Sequence, residues 1–404
     1  MKSIKLMRLN IKRLNLEGSL IRINKRKSRG CVSESLDIEC TPTELIQQWL
    51  PSHKHQRLIS KGKENDSSQF VLARRSRKKK ESMSGISLDH LPDELLLRIL
   101  FYLPLQDLLR MSIVSKHWHC LTFDESLWRS VDLEGMTHLD SALQQVLKTG
   151  VRRLRCPRSY VQEFCFTGTR PLQLIQMDLS NSIIPTSALE SIICHCRLLE
   201  YLSLEGQQLS DAIISSLSKN PDLLQLNLSG CSGFTAPALA SMLKSCTSIE
   251  QLNISWCVFN NDHVKSVVNN LCSSVIHLNL SGYRENLKLD VLSLLPLHYS
   301  DSTLLMADCF LILKQLKHLL HLSLSRCYQI HLAALTDVDQ MFPALCLLDV
   351  FGIVHNSHLP TLKEEMPHVS INSRPFSSIA RPTPASKLSD CAMWNEKCRL
   401  RIKL

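Results

Sequence analysis

LLQLNLSGC, residues 223–231, is the stretch that decides the fold. Its apolar-x-x-Leu-x-Leu spacing returns at Val151/Leu154/Cys156, Leu174/Met177/Leu179, Leu199/Leu202/Leu204, Ile249/Leu252/Ile254 and Val275/Leu278/Leu280. It resumes at Leu319/Leu322/Leu324, Leu345/Leu348/Val350 and, weakly, Met366/Val369/Ile371. From Leu154 to Leu278 the middle positions lie 23–26 residues apart, the period of leucine-rich repeats. Cys231, Cys257 and Cys327 fall three places after the last apolar residue, in the slot that turns the chain off the strand. Stretches such as Pro237–Leu243 between the units read as helix. A strand–helix pair of this size cannot bury its own apolar face, so the units stack into an α/β solenoid: a curved parallel sheet with helices outside.

Leu278 and Leu322 stand 44 residues apart. One further unit is expected between them, with Leu297–Asp301 as its strand and Pro296 just before it. Strand alternation places Asp178, Ser203, Asn227, Asn253, Asn279, Ser323, Asp349 and Ser370 on the opposite, concave face as an exposed polar ladder. Larger groups at the strand ends (Trp256, Tyr283, Arg284, Arg326, Tyr328 and Phe351) are of the types that anchor protein interfaces, and they are the candidate partner-binding residues.

N-terminal to the repeats, Leu91 to Trp128 reads as three short helices. Pro92 suits a first turn, and Asp93 and Glu94 sit at the positive end of the dipole. Leu95, Leu96, Ile99, Leu100 and Leu103 follow at helical spacing, and Pro104 ends the run. Leu97 and Phe101 fill most of the remaining circumference, so this helix must be covered nearly all round. A second amphipathic run carries Leu105, Leu108, Leu109, Ser112 and Ile113, and a third surrounds Trp118 and Leu121. About forty residues this rich in Leu and Trp cannot bury all their own surface, and part of it is expected to meet a partner.

Of the formal net charge of +10, residues 1–85 carry 20 Lys+Arg against 8 Asp+Glu, so the remainder is slightly acidic. A near-neutral body argues against a nucleic-acid-binding fold, which sets aside a nuclear RNA-associated factor. The basic opening segment raises a transit peptide, but a second basic run follows at Arg74, Arg75, Arg77, Lys78, Lys79 and Lys80, which reads as a nuclear localisation patch. Residues 1–84 are expected to be a mostly disordered basic tail. Within it TELIQQWL (43–50) is an apolar island. No apolar run reaches the length of a membrane span, so a soluble chain is expected. The sixteen cysteines include no CxxC pair. Cys194-His195-Cys196 has no second half at metal-site spacing, so neither a metal site nor a catalytic cysteine is expected. Domain limits follow: 1–84 tail, 85–131 helical module, 132–372 repeats, and a C-terminal tail over 373–404 that folds back along the concave face.

Leu91-Pro92 with Glu94-Leu95-Leu96, Pro104-Leu105, Ser115-Lys116-x-Trp118 and Asp124-x-x-Leu127-Trp128 together resemble the F-box. The repeats add LQLNLSGCSGF (224–234), NISWC (253–257), LNLSGYR (278–284), LSLSRCY (322–328), VFGIV (350–354) and IARPT (379–383). These resemble the S-phase kinase-associated branch of F-box/leucine-rich-repeat receptors. That resemblance implies a non-catalytic, cofactor-free substrate receptor of an SKP–cullin–RING ubiquitin ligase. It implies adaptor contacts at Leu91, Pro92, Glu94, Leu95, Leu96, Ile99, Leu100, Leu103, Pro104, Leu108, Trp118, Leu127 and Trp128. It further implies a CKS accessory protein and phosphorylated Cip/Kip inhibitors at Trp256, Tyr283, Arg284, Asp301, Arg326, Tyr328 and Phe351. Residues 43–50 resemble a cyclin-A-docking region, and a nuclear and cytoplasmic location follows. The alternative is a leucine-rich-repeat scaffold or inhibitor with no ligase role.

Overall fold

The computed structural model describes residues 88–137, 139–282, 308–383, 392–394 and 396–401. The basic run at 74–80, the island at 43–50, Tyr283, Arg284, Asp301 and the expected strand at 297–301 lie outside these residues.

A 3-10 turn (Leu88–His90) precedes α1 (Asp93–Leu100), α2 (Leu105–Ser112) and α3 (Lys116–Thr122). Pro92 and Pro104 precede α1 and α2, while the Ser115 hydroxyl caps α3 by accepting from Trp118 N–H. The chain enters the sheet at once through β1 (Ser130–Asp132), then α4 (Asp140–Lys148), β2 (Arg153–Arg155) and β3 (Gln176–Asp178). Strand and helix then alternate through α5 (Thr186–Ile193), β4 (Tyr201–Ser203), α6 (Asp211–Leu217), β5 (Gln225–Asn227) and α7 (Ala236–Ser245). Next come β6 (Gln251–Asn253), α8 (Asn261–Asn270), β7 (His277–Asn279), α9 (Asp308–Leu313) and β8 (His321–Ser323). The series ends with α10 (Val338–Met341), β9 (Leu347–Asp349), α11 (Leu359–Glu365) and β10 (Ser370–Ile371). A two-stranded hairpin, β11 (Ala392–Met393) and β12 (Glu396–Lys397), leads to β13 (Leu400–Arg401). None of the described helices is long and apolar enough to cross a membrane.

Eleven strands form one parallel sheet in the order β10 to β1, with β13 added beyond β1. Register follows the leucine pattern: Leu154, Met177, Leu202, Leu226, Leu252, Leu278, Leu322 and Leu348 are successive partners, and all are fully buried. These leucines pack with helix residues such as Leu239, Met242 and Leu243 into one continuous core. The repeat cysteines close each turn. The thiols of Cys231, Cys257 and Cys327 donate to the carbonyls of Leu204, Leu228 and Leu280, each at 3.1 Å. Burial pushes the Cys231 thiol up to about 12, so it is an inert structural group.

The sheet differs from the expected pattern in four places. The first strand lies at Ser130–Asp132, across the limit set at 131 between helical module and repeats, because Trp128-x-x-Val131-x-Leu133 already fits the repeat template. In the last unit Ile371, two residues beyond Val369, pairs with Leu348; a shift of two keeps the same face inward. β7 pairs directly with β8, so no further strand of this sheet stands between them. Finally, the polar ladder is buried. Asp178, Ser203, Asn227, Asn253, Asn279, Ser323 and Asp349 are each under 5% exposed, and only Ser370 is open.

The ladder's short side chains and the serines two residues beyond them bond to one another between strands about 4.8 Å apart. Ser203 meets both Ser180 (2.7 Å) and Asn227 (3.0 Å), Ser229 meets Ser255 (2.9 Å), and Ser281 meets Ser323 (2.9 Å). Asn227, Asn253 and Asn279 each accept from the backbone N–H two residues on, and Asp178 makes the same turn with Ser180. Asp178 differs in being a carboxyl, and burial lifts it above the usual carboxylate range. A carboxyl raised in the fold contributes favourably below its unfolded value, and that contribution is lost as pH rises through the folded value. At neutral pH the charge therefore costs stability. Asp178→Asn keeps the acceptor oxygen and is expected to stabilise the protein by on the order of 1 kcal/mol at pH 7. In thermal unfolding the gain should shrink as the pH falls toward the carboxylate range; a gain independent of pH, or a loss, would refute this account.

Candidate adaptor ridge and partner groove

The helical module sorts its apolar residues into two sets. Leu96, Leu100, Leu105, Leu108, Leu109, Trp118, Leu121, Leu127 and Trp128 form its interior. The Trp128 indole stacks on Phe123 at 5.4 Å and donates its N–H to Thr122 O at 2.7 Å. Six residues expected at an adaptor interface (Leu96, Leu100, Leu108, Trp118, Leu127 and Trp128) are therefore buried within the module, Trp118 least completely at 8% exposure. An α1 that is apolar all round leaves helical spacing unable to separate the inward face from the outward one. Pro92, Glu94, Leu95, Ile99 and Pro104 are exposed, and Leu91 and Leu103 half-buried.

Alongside these, Phe101, Tyr102, Ile113 and Val114 stand out, with Tyr102 85% and Ile113 71% exposed. Leu95, Ile99 and Tyr102 follow one another at i, i+4 and i+7, which puts them on one side of α1 and its final turn. The result is an apolar ridge on a module whose own core is complete. Ile113 reads in the sequence as an apolar member of α2's amphipathic run, but α2 ends at Ser112 and leaves Ile113, with Val114 after it, exposed.

The ridge is tied to the C-terminal tail. Arg399 donates to the carbonyls of Leu100 (3.3 Å), Phe101 (2.6 Å) and Leu127 (2.7 Å), and its guanidinium lies 3.9 Å from the Phe101 ring centroid. It thus sets a cation on the carbonyls at the end of α1. β13 holds it there, and Arg401 reaches Asp132. Asp132 is almost fully buried and paired at 2.9 Å with Arg155, which also pairs with Glu134; burial raises the Asp132 carboxyl and Arg155 opposes that. Upstream, the tail crosses the ladder face. Ile379 O accepts from the Asn253 amide, Ala380 N–H donates to Gln251, Arg381 pairs with Glu205 at 3.2 Å, and the Trp394 ring meets Tyr201 at 5.4 Å.

Beside this crossing a groove of about 440 Å³ opens over the later strands. Trp256, Arg326 and Phe351 line it from the repeats; Arg374, Phe376 and Arg381 line it from the tail. Of the sequence candidates, Trp256, Arg326 and Phe351 thus come together, with Tyr328 exposed close by, beneath Gly352. Asp349 at the groove floor bonds to His321 at 2.7 Å. Arg374 and Phe376 were missed because nothing in their local sequence shows where the tail returns.

Elsewhere the Cys194 thiol lies 3.2 Å from His195 Nδ1, but that nitrogen also faces Ser191 O at 2.8 Å and the histidine ring packs on Phe166. Among the described residues no group of three His, Cys, Asp or Glu side chains could hold a metal.

Two family models match the chain: the SKP2 LRR domain over residues 141–401, and the F-box-like module over 88–134. An FBD-associated F-box protein of Arabidopsis thaliana is 28% identical over 198 residues, 44% of this chain and 47% of that protein. F-box/LRR-repeat protein 12 of Bos taurus is 43% identical over 58 residues, 14% of this chain and 18% of its own length. The chain thus spans less than half the length of either relative. In the crystal structure of the yeast Rad7–Elc1 complex, one chain aligns at a TM-score of 0.35 and 13% identity, over 62% of this chain and 65% of that one. Since the repeat model matches well over half of its length, the chain belongs to the SKP2 LRR-domain family, its repeats preceded by an F-box-like module.

Proposed function

We propose that the chain is the substrate-recognition subunit of an SKP–cullin–F-box ubiquitin ligase, a receptor of the S-phase kinase-associated protein 2 type. The observation that carries this reading is the apolar ridge. Leu95, Ile99 and Tyr102 stay exposed along one side of α1, and Phe101, Ile113 and Val114 add further exposed apolar surface to a module whose interior is already buried; exposed apolar surface of this kind marks a partner site. The SKP adaptor is the occupant, and through it the cullin and RING subunits. The chain contributes geometry rather than catalysis: it holds a substrate lysine near activated ubiquitin and raises its effective concentration.

The groove is the substrate end. Arg326 and Arg374 beside Trp256, Phe351 and Phe376 suit an acidic or phosphorylated segment, and Arg can grip such groups with two hydrogen bonds. The occupants are phosphorylated Cip/Kip inhibitors of cyclin-dependent kinases, delivered with a CKS accessory protein. Their proteasomal degradation would place the chain at the G1/S transition. Residues 43–50 would dock cyclin A, and the basic run at 74–80 would direct the chain to the nucleus, with a cytoplasmic pool. Reconstitution tests the reading. Ubiquitin transfer to a phosphorylated Cip/Kip inhibitor by adaptor, cullin, RING subunit and CKS protein should require this chain. Transfer that proceeds equally without the chain, or without CKS protein and phosphate, would overturn it.

A further inference from the structure

Four residues beyond each central strand position stand Gly135, Arg158, Asn181, Gly206, Gly230, Trp256, Gly282, Arg326 and Gly352, and every one has positive φ. The hydrogen bonding shows why. Up to Arg326 the N–H of each points sideways into the next repeat: Gly206 donates to Ser229 O, Gly230 to Ser255 O, Trp256 to Ser281 O, Gly282 to Ser325 O and Arg326 to Phe351 O. This left-handed row suits glycine, and a side chain there is disfavoured, most of all one as bulky as Trp. Strained residues of this kind gather at functional sites.

The glycines are placed in a pattern. A Cβ added to Gly282 would lie 2.5 Å from Trp256 Cδ2; on Gly352 it would lie 3.3 Å from Arg326 Cγ, and on Gly206 3.2 Å from Asn181 Oδ1. Trp256, Arg326 and Asn181 each lean over a bare glycine in the following repeat. Arg158, which has Asn181 after it, turns back and pairs with Glu134 of the preceding repeat. We infer that Gly282 and Gly352 are positioning residues: they clear the floor on which the Trp256 indole and the Arg326 side chain are held at the mouth of the groove. The left-handed row is then the mounting position for recognition side chains in this solenoid. This rests on the proposed substrate role of the groove.

The test uses the intact chain bound to adaptor, with purified CKS protein and a phosphorylated Cip/Kip peptide as the probe. Gly282→Ala is expected to weaken capture about tenfold, the scale of a displaced interface anchor. Gly206→Ala is the control: it bears similar backbone strain at φ +79° against +87°, but its nearest neighbour is Asn181, at 3.2 Å, and not a groove residue. It should lower the melting temperature comparably and leave capture within about twofold. Trp256→Gly should relieve strain, raising the melting temperature while weakening capture, and Gly282→Ala should add no further loss of capture to it. Equal losses in Gly282→Ala and Gly206→Ala, or additive losses in the double variant, overturn the inference. Unchanged capture by Trp256→Gly would instead remove Trp256 from the substrate reading. Indole emission then decides the positioning: a shift in Gly282→Ala but not in Gly206→Ala supports it, and no shift overturns it.

Discussion

Leu95→Asp combined with Ile99→Asp is expected to abolish capture of the SKP adaptor, weakening it about a hundredfold or more. Both side chains are nearly half exposed, at 43% and 47%, on the outward side of α1. A carboxylate at either site is well hydrated in the free chain, so folding has little to lose. In the complex the same carboxylate would be buried against an apolar partner with no cation to receive it. The melting temperature should therefore stay within about 2 °C of the parent, as for surface changes generally. Retained capture by the double variant, measured by titration with purified adaptor, would show that the ridge is not the docking face.

Trp128→Ala should do the reverse. Trp128 is fully buried, stacked on Phe123 and bonded to Thr122 O, and it lies two residues before β1. Truncating a buried Trp costs about 3–5 kcal/mol. In a domain of this size that corresponds to a fall in melting temperature of about 10 °C. Adaptor capture should be lost only in proportion to unfolding and should return on cooling. Trp118→Ala, also in the interior, should behave alike. If either variant melted normally yet lost the adaptor, the division between core and ridge would be wrong.

These contrasts show which features the sequence displays. Repeat register was legible because every central leucine is wholly buried and parallel pairing preserves the spacing. β1 was hidden because Leu127-Trp128 belongs to two patterns at once, the end of the F-box and the start of the repeat. Alternation showed that Asp178 and Asn227 share a face; the depth of that face depends on bonds such as Asn227–Ser203, which no local pattern reports. Trp256 and Arg326 stood out by residue type, while their left-handed backbone was written only in the glycines of neighbouring repeats. The pairing of β13 with β1 and the grip of Arg399 on α1 join residues about 270 to 300 positions apart, and two-residue strands carry no periodicity to announce them.

The measurement that bears most directly on the whole account is titration of the intact chain with purified SKP adaptor, followed by CKS protein and the phosphorylated inhibitor peptide. The account predicts saturable one-to-one adaptor binding, and then capture of CKS protein and peptide on the same assembly. No adaptor binding would contradict it and leave a leucine-rich-repeat scaffold with no place in a ligase.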